Sequence, residues 1–152
     1  MRNILFKAKR LDNGEWVEGY AVNYGFTGKQ KWHIVPFWAS DLYSYEIDPS
    51  TICQYTGLTD KNGNKIWEND IVKYHFGDDV AEIKFGEYQS CFDSQKTCHV
   101  GFYVDWQKGY LRKDLGYWVK MIDCNIIGNE IDNPELLEEQ SNEEVQEEER
   151  EV

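Results

Sequence analysis

The chain holds 152 residues, 41% of them apolar and 15% aromatic, with six Trp, ten Tyr and seven Phe, and its net charge is −12. That length fits one domain or two very small ones, and the apolar share is enough for a packed core. No run of about 18 apolar residues is present, which excludes a membrane-spanning helix, and the acidic balance disfavours steering towards nucleic-acid phosphates.

The segment Met1 to Arg10 lacks the long apolar stretch of a secretory signal, so a cytoplasmic location is expected. Asn3 to Lys9 alternates, with Ile4, Phe6 and Ala8 on one side. Asp12-Asn13-Gly14 is a turn, and Trp16 to Val22 returns as a second strand, which predicts an N-terminal β-hairpin. Gly25 to Gly28 is loop. Trp32 to Val35 is a short strand ended by Pro36. Phe37 to Ser50 mixes aromatic residues with Asp and Ser and has no single period.

The run from Thr51 to Tyr74 is richer. Asp60-Lys61-Asn62-Gly63 places an Asn-Gly pair between Leu58 and Ile66, and both Asn and Gly tolerate the positive φ of tight hairpin turns. Asp70 to Phe76 alternates, with Val72, Tyr74 and Phe76 on one face. Gly77-Asp78-Asp79 marks a turn, and Val80 to Phe85 alternates again, so Asp70 to Phe85 reads as a hairpin. Glu87 to Thr97 is polar loop. His99 to Trp106 is a strand with Val100, Phe102, Val104 and Trp106 aligned. Lys108-Gly109 and Asp114 to Gly116 mark turns. Tyr117 to Ile122 and Cys124 to Gly128 read as further strands. Pro134 to Glu139 suits a short helix, with Pro and acids in the first turn.

Glu135 to Val152 carries nine acids and one Arg, a net of −8, against 19 acids and 15 bases, a net of −4, from Met1 to Pro134. An acidic run with few apolar residues cannot offset its own ordering entropy, so residues 138–152 are expected to be a disordered tail. Eight or nine short strands, little helix and frequent turns predict an all-β fold, a small barrel or a sandwich.

Catalytic and metal-binding chemistry finds little support. Cys53, Cys91, Cys98 and Cys124 read as free thiols of a cytoplasmic chain. Cys91 and Cys98 are too far apart for a zinc knuckle, and Cys98 and His99 are adjacent, so no metal is expected. No Gly-x-Ser-x-Gly elbow and no His-Glu-x-x-His occurs, and His33 and His75 read as surface or rim residues. Gly57 to Lys65 lacks the Gly-Lys-Ser/Thr ending of a phosphate loop. Asp60, Asn62 and Asn64 lack the downstream spacing of a calcium loop, so turn chemistry is the reading there. Pairs such as Asp78-Asp79 and Glu68 with Asp70 suit polar turns. One compact basic-aromatic stretch outside the N-terminus, with Trp106, Lys108, Tyr110, Arg112 and Lys113, offers a candidate nucleic-acid contact. The competing reading, a hairpin with solvated cations over a packed ring, is preferred.

Gln54-Tyr55-Thr56-Gly57-Leu58, Asp60-Lys61-Asn62-Gly63 and Asp70-Ile71-Val72 resemble the signature of the YopX family of small phage and prophage proteins. Phe6-Lys7-Ala8 with Trp16 and Gly19-Tyr20 is similar to that family's opening. Ile126-Ile127-Gly128-Asn129 with Asn133 to Leu137 is similar to its closing. Asn69 departs from the pattern, which has Gly there, but Asn also adopts positive φ. The resemblance covers residues 1–137. It implies a β-rich fold with an SH3-like barrel part, with a division into 1–50 and 51–131 as one arrangement. It also implies an origin in phages of Gram-positive hosts and self-association, and it brings no known activity.

The function expected is therefore that of a non-enzymatic accessory protein without cofactors. Its partners would be further copies of itself and host or phage proteins, with no membrane. A nucleic-acid-binding barrel and an acidic decoy of a host DNA-binding factor are the alternatives.

Overall fold

The computed structural model describes residues 3–25, 28–39, 43–91, 94–95, 97–106 and 109–138. The expected disordered tail, 138–152, lies outside these apart from Glu138, and Lys108 lies outside them too. The chain divides into two compact units, Met1–Gly57 and Leu58–Val152. Both are built from antiparallel strands, so the fold is all-β, as the alternation predicts.

In the first unit, β1 (Phe6–Lys9) and β2 (Trp16–Tyr24) form the expected hairpin, with Phe6 opposite Gly19 and Lys9 opposite Trp16. β3 (Lys31–Val35) pairs with β2, and β4 (Tyr45–Glu46) pairs with β3. β5 (Cys53–Thr59) pairs with β1, giving the order β4-β3-β2-β1-β5. The aperiodic stretch before Ser50 thus contains a two-residue strand, followed by a 3₁₀ turn at Pro49–Thr51 that is capped by the Asp48 side chain. Ala8, Ile34 and Ile47 are fully or almost fully buried here, with Phe6, Val17, Ala21 and Ile52 around them. Alternation along each strand sends these residues to one face and Lys7, Lys9, Trp16, Tyr20 and Tyr24 to the other.

The second unit opens with the end of β5, the Asp60 to Gly63 turn and β6 (Lys65–Trp67). β7 (Asp70–Lys73), β8 (Val80–Tyr88), β9 (His99–Trp106) and β10 (Asn125–Asn129) make a four-stranded sheet in the order β10-β7-β8-β9. The predicted Asp70 to Phe85 hairpin is present, with Val72 opposite Ala81. β7 stops at Lys73, however, and the turn that Tyr74 N–H closes onto the Asp79 carbonyl leaves Phe76 exposed rather than aligned with Val72. The sheet does not close into the expected barrel, and β9 and β10 remain its outer strands.

Tyr117 to Ile122 is not the predicted strand. Tyr117–Met121 is one helical turn of π type, started by the Asp114 carbonyl and ended by an Ile122 N–H to Tyr117 carbonyl bond of 3.0 Å. The reason lies in the spacing. Leu115, Trp118 and Val119 are buried and Lys120 and Met121 are exposed, which is an i, i+3, i+4 pattern and not an alternation. A helical turn at 135–138 agrees with the short C-terminal helix. The core of this unit joins Ile66, Val72, Ala81, Ile83, Val104, Trp106, Leu115, Trp118, Val119 and Cys124.

The signature residues are formers of turns and close approaches. Asp60 Oδ1 accepts the N–H groups of Asn62 and Asn64 at 2.8 Å, its Oδ2 accepts the Asn64 amide at 3.0 Å, and Gly63 stands at φ +83°. These bonds, the Asn64 side chain first, hold the Asp60 carboxyl below its usual range, and they use the oxygens that a calcium ion would need. Buried Asp70 accepts the Trp67 N–H at 2.8 Å. Asn69, at φ +66°, occupies the left-handed conformation that Gly serves elsewhere in the family pattern. Gln54 sits opposite Phe6, and the Tyr55 N–H reaches the Leu5 carbonyl. A Cβ at Gly128 would lie 2.6 Å from Asn133 Oδ1, and Asn129 Oδ1 accepts the N–H groups of Ile131 and Asp132.

Candidate functional site

An open groove of about 630 Å³ lies within the second unit. Its walls are Glu87, Tyr88 and Gln89 at the end of β8, Cys98 just before β9, Trp106 at the end of β9, and Gly109, Tyr110, Leu111 and Lys113 after it. The β8–β9 ladder, running from Ala81–Trp106 to Tyr88–His99, sets the spacing between these groups. A bridge from Tyr103 to Asp114 and a Val104 N–H to Lys113 carbonyl bond of 3.0 Å fold the 109–114 segment back along β9.

Of the five residues expected to contact nucleic acid, Trp106, Tyr110 and Lys113 line this groove, and Arg112 lies in the same 109–114 segment. Trp106 is buried, with its ring centroid 4.8 Å from Trp118 and 5.1 Å from Tyr110. It is therefore part of the core and not an open stacking platform. The Tyr110 hydroxyl donates to Asp79 at 2.7 Å, which pushes its pKa up to about 12. The Arg112 guanidinium lies 3.7 Å over the Tyr117 ring and pairs with Asp114 at 3.3 Å. Lys113 pairs with Asp105 at 3.2 Å and sits over Tyr103. Both cations are already neutralised by neighbours, so the stretch offers phosphates little net charge. Lys108, the fifth, is outside the described residues.

Trp106 carries a further feature that its sequence position does not show. Its indole N–H is buried and has no acceptor among the described residues. A buried donor without a partner costs roughly 1–3 kcal/mol. By contrast, the Trp118 indole N–H donates to the Arg112 carbonyl at 2.8 Å.

Cys53 and Cys124 are buried, and burial pushes Cys124 up to about 11. Cys91 and Cys98 are exposed and unbridged, and Cys98 is also shifted upward, by desolvation and then by Glu87. His33 stacks on Tyr24 at 4.3 Å and places Nδ1 3.2 Å from the hydroxyls of both Tyr24 and Ser44. His75 lies against Tyr74 and Phe76, and His99 stacks on Tyr88. Among the described residues no three His, Cys, Asp or Glu side chains converge as a metal site.

One carboxylate is strongly perturbed. Glu82 is 7% exposed, opposite Asp105 on β9. Burial first, and then its hydrogen bond with the Glu130 carboxyl, pushes its pKa up from 4.5 to about 7, while Lys84 at 3.4 Å works against the rise. The folded state therefore holds a proton that the unfolded chain releases, and stability from this group is complete below pH 4.5 and lost as pH rises to about 7. Glu82→Gln is expected to flatten that loss, gaining on the order of 1–2 kcal/mol at pH 8 after allowance for solvent screening. Urea unfolding midpoints at pH 5 and pH 8 check it; an unchanged pH slope in the variant contradicts the assignment.

The family model described as YopX protein matches residues 5–138. A search of the curated proteins gave no match. Among solved structures, a similar chain is the crystal structure of protein EF1440 from Enterococcus faecalis, at 22% identity and a TM-score of 0.47, with 90% of this chain and 99% of that chain covered. The family match spans both units and takes in the Asp60, Asp70 and Asn129 turns, and on that ground the chain belongs to the YopX family.

Proposed function

We propose that this chain is a phage or prophage accessory protein that catalyses no reaction and acts in the cytoplasm through protein contacts, self-association among them. The observation that carries the reading is an aromatic patch in the first unit. Phe37, Trp38 and Tyr43 are 61%, 66% and 57% exposed, with the Trp38 and Tyr43 rings 6.1 Å apart. Two large aromatic rings against each other in water, with Phe37 also exposed, are costly for a free surface and suit the anchors of an interface.

Light scattering on the full chain tests this. The wild type is expected to run as an oligomer, and Trp38→Ser to weaken association by about tenfold or more, the loss typical of an aromatic anchor. Trp38 is exposed, so the variant is expected to keep its thermal unfolding midpoint. A monomeric wild type that captures no second protein overturns the proposal, and salt-dependent retention of single-stranded DNA favours the nucleic-acid alternative instead.

A further inference from the structure

Resting on the protein-contact reading, we propose that the groove beside β9 is the docking site for an extended, basic segment of a partner protein. The groove is long: Cys98 stands just before β9 and Trp106 at its end. β9 has eight residues, roughly 25 Å at about 3.3 Å each. A compact small molecule does not reach both ends, whereas an extended chain does.

The backbone is arranged for such a chain. β9 is an outer strand, bridged beyond β8 at Tyr103 to Asp114. The Val104 N–H points outward to the Lys113 carbonyl. Alternation in an antiparallel ladder turns the backbone groups of Val100 to that same outer edge, ahead of the bridge. A segment added there gains main-chain hydrogen bonds. Leu111, 75% exposed on the groove wall, supplies apolar contact.

Charge selects the kind of segment. Glu87 is in the groove wall, while Lys113 is paired with Asp105. Residues 58–134 carry 9 Lys and Arg against 13 Asp and Glu, a net of −4. A lysine or arginine side chain facing Glu87 is favoured, and a phosphate backbone is repelled.

The test uses the full chain labelled with ¹⁵N at tryptophan, with Trp106→Phe identifying the Trp106 indole signal. Three probes are titrated: a capped hexapeptide of alternating valine and lysine, its valine–glutamate counterpart, and an oligothymidine. The expected result is a saturable shift of the signal from Trp106, whose ring lines the groove, with the lysine peptide alone. Glu87→Gln, a surface change that leaves the core intact, is expected to weaken that binding roughly tenfold. An unmoved Trp106 signal at saturating peptide, an equal response to the glutamate peptide or oligothymidine, or unchanged affinity in Glu87→Gln overturns the proposal. Oligomerisation with a silent groove would sink this inference alone. A monomer whose groove binds the lysine peptide would sink only the self-association reading.

Discussion

Trp118→Ala is expected to destabilise the second unit by about 3–5 kcal/mol, the range for truncating a buried tryptophan. The ring is 5% exposed and lies 4.8 Å from Trp106, 5.2 Å from Tyr117, 5.5 Å from Tyr110 and 5.7 Å from Tyr74. Removing it opens a void among four rings and leaves the Arg112 carbonyl without the indole donor. Trp118→Phe keeps most of the volume and loses the hydrogen bond, so a smaller cost of about 1–2 kcal/mol is expected. Urea unfolding followed by near-ultraviolet dichroism separates the two. A loss below about 1 kcal/mol in Trp118→Ala would mean that the aromatic cluster is not the core of this unit.

The second large effect comes from a single methyl group. Gly19→Ala would set a Cβ 2.1 Å from the Val35 carbonyl oxygen and 2.8 Å from Pro36 Cα. Both obstacles are backbone, so no rotamer change relieves them. Gly19 lies opposite Phe6 on the adjoining strand, so moving it away from β3 strains the β1 pairing as well. The expected cost is about 2–3 kcal/mol, a fall of roughly 10 °C in thermal midpoint. Gly14→Ala is a useful contrast, because nothing lies within 4 Å of its Cβ and the cost arises from φ +71° alone. Equal midpoints for wild type and Gly19→Ala would show that β3 does not approach β2 as closely as described.

These two positions also mark what was legible beforehand. Gly19 belongs to the family's opening motif, yet a motif does not say why glycine stands there. The close crossing of Val35 over β2 does. Tyr117-Trp118-Val119 is rich in residues that favour sheets, which in the sequence points to a strand. The helical spacing from Leu115 to Val119 was present in the sequence, but a five-residue element is too short for periodicity to outweigh that preference. The basic-aromatic stretch is visible in the sequence, and the fate of its charges is not. Asp105 and Asp114, which neutralise Lys113 and Arg112, are held in place by the β9 ladder and the Tyr103–Asp114 bridge.

Local chemistry in the sequence determined the all-β class, both hairpins and the turns at Asp60 and Gly63, because alternation and positive-φ residues act over a few neighbours. Family membership was legible for the same reason, since its signature is made of those turns. Tertiary structure alone decided that the second sheet stays open, that Trp106 is buried with no acceptor for its N–H among the described residues, and that Glu82 meets Glu130. Each of these depends on groups far apart in the chain being brought within a few ångströms, and no local pattern encodes that distance.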